Sequence, residues 1–161
     1  MMHEKLIGQL EELQKETRRR VDAIGWANEV LDKLGLTPLL DIARLVVARP
    51  NYGSTANIVT LYFDNDQRPA VMPILTDCSV EEWHRSQQVS FDNDMDSEHR
   101  YGNWLYVDFD YWVPGESDAR HLITIRFASQ VQEGDEIDGC HVRKTVVNIS
   151  HLTLKCDVGN K

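Results

Sequence analysis

The chain has 161 residues, of which 42% are hydrophobic and 27% charged, and this composition predicts one globular domain rather than a disordered segment. No apolar run approaches the roughly 18 residues that a membrane span needs, and none resembles a secretory signal. The net charge is −9, and residues 81–138 hold fourteen acidic but only four basic side chains. This acidic half disfavours direct nucleic-acid binding and favours a basic protein partner.

Residues 3–34 are predicted to form one long helix that ends at Gly35, with a bend expected near Gly25. Its apolar side chains step by threes and fours along one face: Leu6, Leu10, Leu13, Thr17, Val21, Ile24, Ala27, Leu31 and Leu34. A straight helix of about 30 residues measures roughly 45 Å, which is longer than the rest of the domain should be. We therefore expect the N-terminal end to project and to form a homodimer, or to dock a partner. The residues expected at this interface are Leu6, Leu10, Leu13, Val21 and Ile24.

The next segment carries mixed signals. Thr37 and Pro38 predict a short helix to about residue 42, and residues 42–49, ambiguous between helix and strand, are assigned to a strand. Strands are also predicted over residues 56–63 and 70–75, with Pro73 marking an edge or a bulge. The spacing of Ser79 and Glu82 matches a capping box and predicts a helix over residues 80–88, followed by a polar loop over 91–102.

Residues 103–113 and 121–128 are the clearest strands, because apolar and polar side chains alternate along them. This alternation predicts six core residues: Leu105, Val107, Phe109, Ile123, Ile125 and Phe127. Residues 140–157 supply one or two closing strands. The predicted fold class is α+β, with a long N-terminal helix (residues 1–36) packed on or projecting from an antiparallel β-sheet or barrel-like domain of about six strands (residues 37–161).

The strand over residues 103–113 turns a second set of side chains outward: Trp104, Tyr106, Asp108, Asp110 and Trp112. Aromatic rings beside carboxylates are typical of a surface that binds a protein partner. A purely structural interpretation is also open, in which Asp108 pairs with Arg126 on the neighbouring strand and the long helix covers the tryptophans.

An acidic segment follows the predicted short helix, and its carboxylates are Asp92, Asp94, Asp96 and Glu98. The spacing resembles a calcium loop, but Ser97 and Asn103 occupy the places where an EF-hand has Gly and Glu. A solvated loop, a mimic of a nucleic-acid backbone and a metal site are the open interpretations. Together with residues 133–138, this segment is expected to form a contact surface for a basic partner.

Three cysteines, Cys78, Cys140 and Cys156, without a C-x-x-C pair argue against a disulfide framework, although a single bridge stays open. They favour a reducing compartment, and with the missing signal they predict a cytoplasmic protein. His141 and His151 lack the spacing of a zinc site, and no catalytic signature is present. We therefore predict no metal, no cofactor and no catalytic residue.

These observations favour a non-catalytic protein-binding protein whose acidic β domain docks on a basic partner. One version is an inhibitor that occupies the nucleic-acid-binding groove of another protein. The alternatives are a structural assembly component and a metal-dependent hydrolase that uses the aspartates at positions 92, 94, 96, 108 and 110.

Overall fold

A computed structural model describes residues 2–92, 102–115, 119–137, 139–146 and 150–156. The helices are α1 (Met2–Leu34), α2 (Pro38–Ile42) and α3 (Arg68–Asp77), with a 3-10 turn over Asn65–Gln67. The strands are β1 (Leu45–Pro50), β2 (Asn57–Asp64), β3 (His84–Asp92), β4 (Gly102–Val113), β5 (His121–Val131), β6 (Glu136–Ile137), β7 (Cys140–Val146) and β8 (Ser150–Cys156). The α+β class is confirmed, because the long helix packs on one large sheet beside a smaller one.

The large sheet has five strands in the order β1-β2-β5-β4-β3. Strands β2, β4 and β5 share this sheet as predicted, but the sheet is mixed rather than wholly antiparallel. β2 and β5 run parallel, with Ile58 opposite Leu122, whereas all other neighbours are antiparallel. A parallel pair needs a long crossover, and here the chain between β2 and β5 contains α3, β3 and β4.

The core lies on one face of the large sheet. All six predicted core residues of β4 and β5 are buried, and they form one cluster with Val59, Leu61 and Phe63 of β2. The helices cover this same face, because the cluster also contains Leu31 of α1 and Leu39 of α2. The opposite face, which carries Trp104 and Trp112, is therefore not the face on which α1 packs.

The predicted strand over residues 70–75 is wrong, because these residues lie in helix α3. Val71 and Leu75, four residues apart, share a helical face and are both buried in the core. The helix tolerates Pro73 in its interior, and it follows a 3-10 turn with a capping box between Asp64 and Gln67. A short apolar run fits a strand and a buried helix equally well, so packing decided the outcome.

The predicted helix over residues 80–88 is also wrong. Residues 84–92 form β3, which pairs antiparallel with β4 along its whole length. The backbone N–H of Ser79 donates a hydrogen bond to the carbonyl of Leu34 at 3.0 Å, so this end of the segment is tied to α1 instead of starting a helix. Val89 of β3 packs against the core cluster, so pairing and burial outweigh the local capping signal.

Helix α1 is continuous through Gly25, but its apolar residues do not all share one environment. Ala27 and Leu31 are buried on the sheet, whereas Leu6 and Leu10 are exposed. Leu13 and Leu31 are separated by about five full helical turns, so their side chains leave the helix in the same direction. Leu13 is 61% exposed and Leu31 is 1% exposed, so position along the helix, rather than direction, separates the projecting end from the end that packs on the β domain.

The C-terminal strands form a separate antiparallel sheet in the order β6-β7-β8. Cys140 and Cys156 lie directly opposite each other on β7 and β8 and form a disulfide, and Cys78 is the free cysteine. The expectation against disulfides is corrected here to the single bridge that the sequence left open. Val142 of β7 joins the core cluster, so this sheet packs on the main core.

Candidate partner-binding surface

The outer face of the large sheet, the one opposite the core, is organised around an ion pair. Arg126 of β5 lies opposite Asp108 of β4, and its Nε and Nη2 donate to the two carboxylate oxygens at 2.8 and 2.7 Å. Donating these hydrogen bonds to Asp108 raises the pKa of the Arg126 guanidinium, against the opposing effect of burial. The pairing of Asp108 with Arg126, which the structural interpretation of the sequence left open, is thus present.

Two tyrosine rings enclose this ion pair. The guanidinium carbon of Arg126 lies 4.8 Å from the ring centre of Tyr106 and 5.8 Å from that of Tyr62, which are cation–π distances. Asp108 is only 7% exposed. The charge of its carboxylate is balanced by Arg126 within the fold, and its predicted role in partner binding stays a prediction.

The other residues of β4 that were predicted to bind a partner differ in how far their side chains are exposed to solvent. Asp110 is half-buried and accepts a hydrogen bond of 2.6 Å from the Thr124 hydroxyl. Trp104 is half-buried, whereas Trp112 is 50% exposed. The predicted β4 residues thus lie together on one face of the sheet, and Trp112 is the one whose aromatic ring is exposed to solvent.

A groove opens at the Trp112 end and continues onto the segment before β3. Its lining combines carboxylates with aromatic rings and one histidine: Glu81, Glu82, His84, Asp110, Tyr111 and Trp112, together with Ser79. His84 lies opposite Asp110 in the β3–β4 register. The described part of the chain supplies no ion-pair partner to Glu81 or Glu82, and both are exposed. We call this site the acidic groove.

Sequence reasoning missed Glu81, Glu82 and His84 because it placed them in a helix. The usable signal was the alternation that follows them, in which Gln87 and Val89 are less exposed than Ser86 and Gln88. Of the predicted acidic segment, Asp92 ends β3. Asp94, Asp96 and Glu98 lie outside the described residues.

The second surface is on α1. Every residue from His3 to Lys15 is exposed, and Glu16 is the first half-buried residue of the helix. There the Tyr52 hydroxyl donates to Glu16 at 3.1 Å, and Arg19 lies over the Tyr52 ring at 5.5 Å. The predicted overhang is confirmed, because Leu6, Leu10 and Leu13 do not pack on their own sheet.

No cluster of three or more His, Cys, Asp or Glu side chains that could hold a metal ion occurs in the ranges described above. Within those ranges no helix is long and apolar enough to cross a membrane. The chain matches no protein-family model, no curated protein and no solved structure.

Proposed function

We propose that this chain is a non-catalytic protein-binding protein whose β domain docks a basic partner through the acidic groove. The observation that carries the proposal is the meeting of Glu81, Glu82 and Asp110 with the exposed ring of Trp112 in one concave site. Carboxylates attract a lysine or arginine side chain, and an aromatic face binds the same cation through its quadrupole.

The position of the charge supports this role. The acidic excess of residues 81–138 includes the three carboxylates of the groove, whereas Asp108 is already paired with Arg126. The groove therefore offers negative charge that the fold has not neutralised at Glu81 and Glu82. Nucleic-acid-binding proteins are one class of basic partner, because the surface that contacts phosphates is positive.

The test uses a defined cationic probe. Binding of an arginine-rich peptide is measured by titration calorimetry at low salt and at 1 M salt, where the Debye length falls to about 3 Å. We expect binding that weakens steeply with salt and that is reduced at least tenfold in a Glu81→Gln, Glu82→Gln variant. A Trp112→Ala variant should weaken binding while leaving its salt dependence in place.

The matched control removes two charges elsewhere. Glu29 and Asp41 are exposed and lie outside the groove, so Glu29→Gln with Asp41→Asn gives the same net charge. If both double variants lose the same amount of peptide affinity, the effect comes from overall charge, and the acidic groove is rejected as the binding site. A partner protein that is captured with the wild type should not be captured with the Glu81→Gln, Glu82→Gln variant. Whether DNA competes with the wild type for that partner tests the inhibitor version of the proposal.

A further inference from the structure

Helix α1 carries an apolar face that no described part of its own chain covers. Its large side chains are 55–61% exposed: Leu6 59%, Leu10 55%, Leu13 61%, Val21 60% and Ile24 59%. At about 100° per residue, these positions and Thr17 lie within roughly 40° of one direction. The buried residues Ala23, Ala27 and Val30 point roughly 120° away, towards the sheet. We call the outer set the exposed stripe.

The exposed stripe leads into an apolar groove between α1 and β1. Ile24 belongs to both, and the groove is further lined by Ala27, Asn28, Leu31, Leu40 and Val46. Val46 is itself 37% exposed on the edge strand of the sheet. The apolar surface therefore extends from Leu6 along the helix to the β domain.

We propose that two copies of the chain pair through the exposed stripe as antiparallel helices, centred near residue 15. In this arrangement residues whose numbers sum to 30 or 31 meet across the interface. Leu6 of one copy then lies opposite Ile24 of the other, Leu10 opposite Val21, and Leu13 opposite Thr17. Each member of the stripe gains an apolar or small neighbour, and a stripe that steps by threes and fours suits such side-by-side packing.

Charge selects the antiparallel orientation. Residues 4–13 carry Glu4, Lys5, Glu11 and Glu12, an excess of two negative charges. Residues 17–26 carry Arg18, Arg19, Arg20 and Asp22, an excess of two positive charges. The proposed register places these two segments against each other, whereas a parallel pair would place like charges side by side along the whole interface.

The groove gives an independent reason for a second copy as the occupant. The same register brings residues 2–6 of one helix to residues 24–28 of the other, where the groove opens. The first turns of each helix, which are exposed from His3 onwards, then reach apolar lining on the other copy. One interface thereby covers the whole continuous surface.

The first test is the mass in solution by light scattering at tens of micromolar. We expect twice the 18.5 kDa of one chain for the wild type and a single chain for Leu10→Glu. Gln9→Glu adds the same charge at the neighbouring position, about 80° from the centre of the stripe, and should stay dimeric. Both positions are exposed, so circular dichroism should show unchanged folding. A monomeric wild type, or equal dissociation by both variants, would overturn the proposal.

The second test fixes orientation and register by disulfide trapping in a Cys78→Ser background. A mixture of the Leu6→Cys and Ile24→Cys proteins should form a linked heterodimer under mild oxidation. Either protein alone should not link, because identical positions lie about 27 Å apart along an antiparallel pair centred at residue 15. Linking of Leu6→Cys to itself would show a parallel pair, and a mixture of Leu6→Cys with Leu10→Cys serves as the mismatched control.

Discussion

Arg126 and Asp108 meet through two parallel hydrogen bonds in the middle of a sheet face on which helix α1 does not pack. Their side chains are 23% and 10% exposed, so both charges are largely removed from water. Such a pair is strongly destabilising to break, since the surviving charge is left without a partner. Its position between Tyr62 and Tyr106 makes it the organising contact of the outer face.

Replacing Arg126 by Met should therefore lower the free energy of unfolding by about 2–3 kcal/mol, the low end for a buried pair because some exposure is left. Arg44→Met is the matched control. Arg44 bonds Asp64 at 2.8 Å, but the two side chains are 66% and 46% exposed, so the loss should stay within about 0.5 kcal/mol. Urea unfolding followed by circular dichroism measures both, and equal losses would contradict this assignment.

Two glycines of the N-terminal region should respond in opposite directions to alanine. Gly35 has a φ of 77° at the end of α1, so Gly35→Ala should cost about 1 kcal/mol of stability. Gly25 lies inside the helix with nothing within 4 Å of an added Cβ, and Gly25→Ala should stabilise by about 1 kcal/mol. Thermal unfolding of the two variants gives the comparison, and a shift of the same sign in both would refute it.

The contact between Glu16 and Tyr52 should depend on pH. Hydrogen bonds from Tyr52 and then Arg20 hold the pKa of Glu16 below its ordinary value of 4.5. Because the pKa is lower in the folded protein, the contact's stabilisation is present above pH 4.5 and is lost as the pH falls through the folded-state pKa. An NMR titration of the Glu16 carboxyl measures this directly.

The control for that titration is Tyr52→Phe, which removes the hydrogen bond from the Tyr52 hydroxyl, the larger cause of the lowered Glu16 pKa, and keeps Arg20 in place. The pKa of Glu16 should rise part of the way towards 4.5 in this variant. A Glu16 pKa that does not respond to loss of the hydroxyl would show that Tyr52 does not hold the helix at this point.

The disulfide of the small sheet should contribute measurably to stability. Cys140 and Cys156 are 16 residues apart in the chain, and closing a loop of that length stabilises by about 3 kcal/mol in the chain-entropy account. Cys156→Ser should lose roughly this amount under non-reducing conditions, measured by urea unfolding. Cys78→Ser, at the free cysteine, should change little, and no difference between the two variants would mean that the bridge does not form in solution.

The sequence predicted β4 and β5 well because apolar and polar residues alternate over many positions there. Leu105 and Ile125 could not change faces without exposing a whole row of apolar side chains. The predictions for residues 70–75 and 80–88 were wrong for a different reason. Their signals are short, and the choice between helix and strand was made by burial of Val71 and by pairing of β3 with β4, which local patterns do not contain.

The candidate site was predicted in part. The outward row of β4 followed directly from alternation, and the pairing of Asp108 with Arg126 was one of the two interpretations left open. The acidic groove could not be predicted, because it joins Glu82, in the segment before β3, to Trp112 of β4, and the sequence had placed Glu82 in a helix. On α1, the split between exposed Leu13 and buried Leu31 depends on where along the helix the β domain packs, which a count of apolar steps does not contain.

The order of strands in the large sheet constrains the assembly of a nascent chain. β5 lies between β2 and β4 although it is the last of the five strands to be synthesised. Until residues 121–131 leave the ribosome, the β1–β2 and β3–β4 hairpins have no common neighbour, and each presents an unpaired edge. Pairing of β5 with β2 then closes the sheet across a long sequence separation, which is the slow kind of contact in folding. Synthesis that stalls before residue 121 would leave two aggregation-prone hairpins in place of a domain.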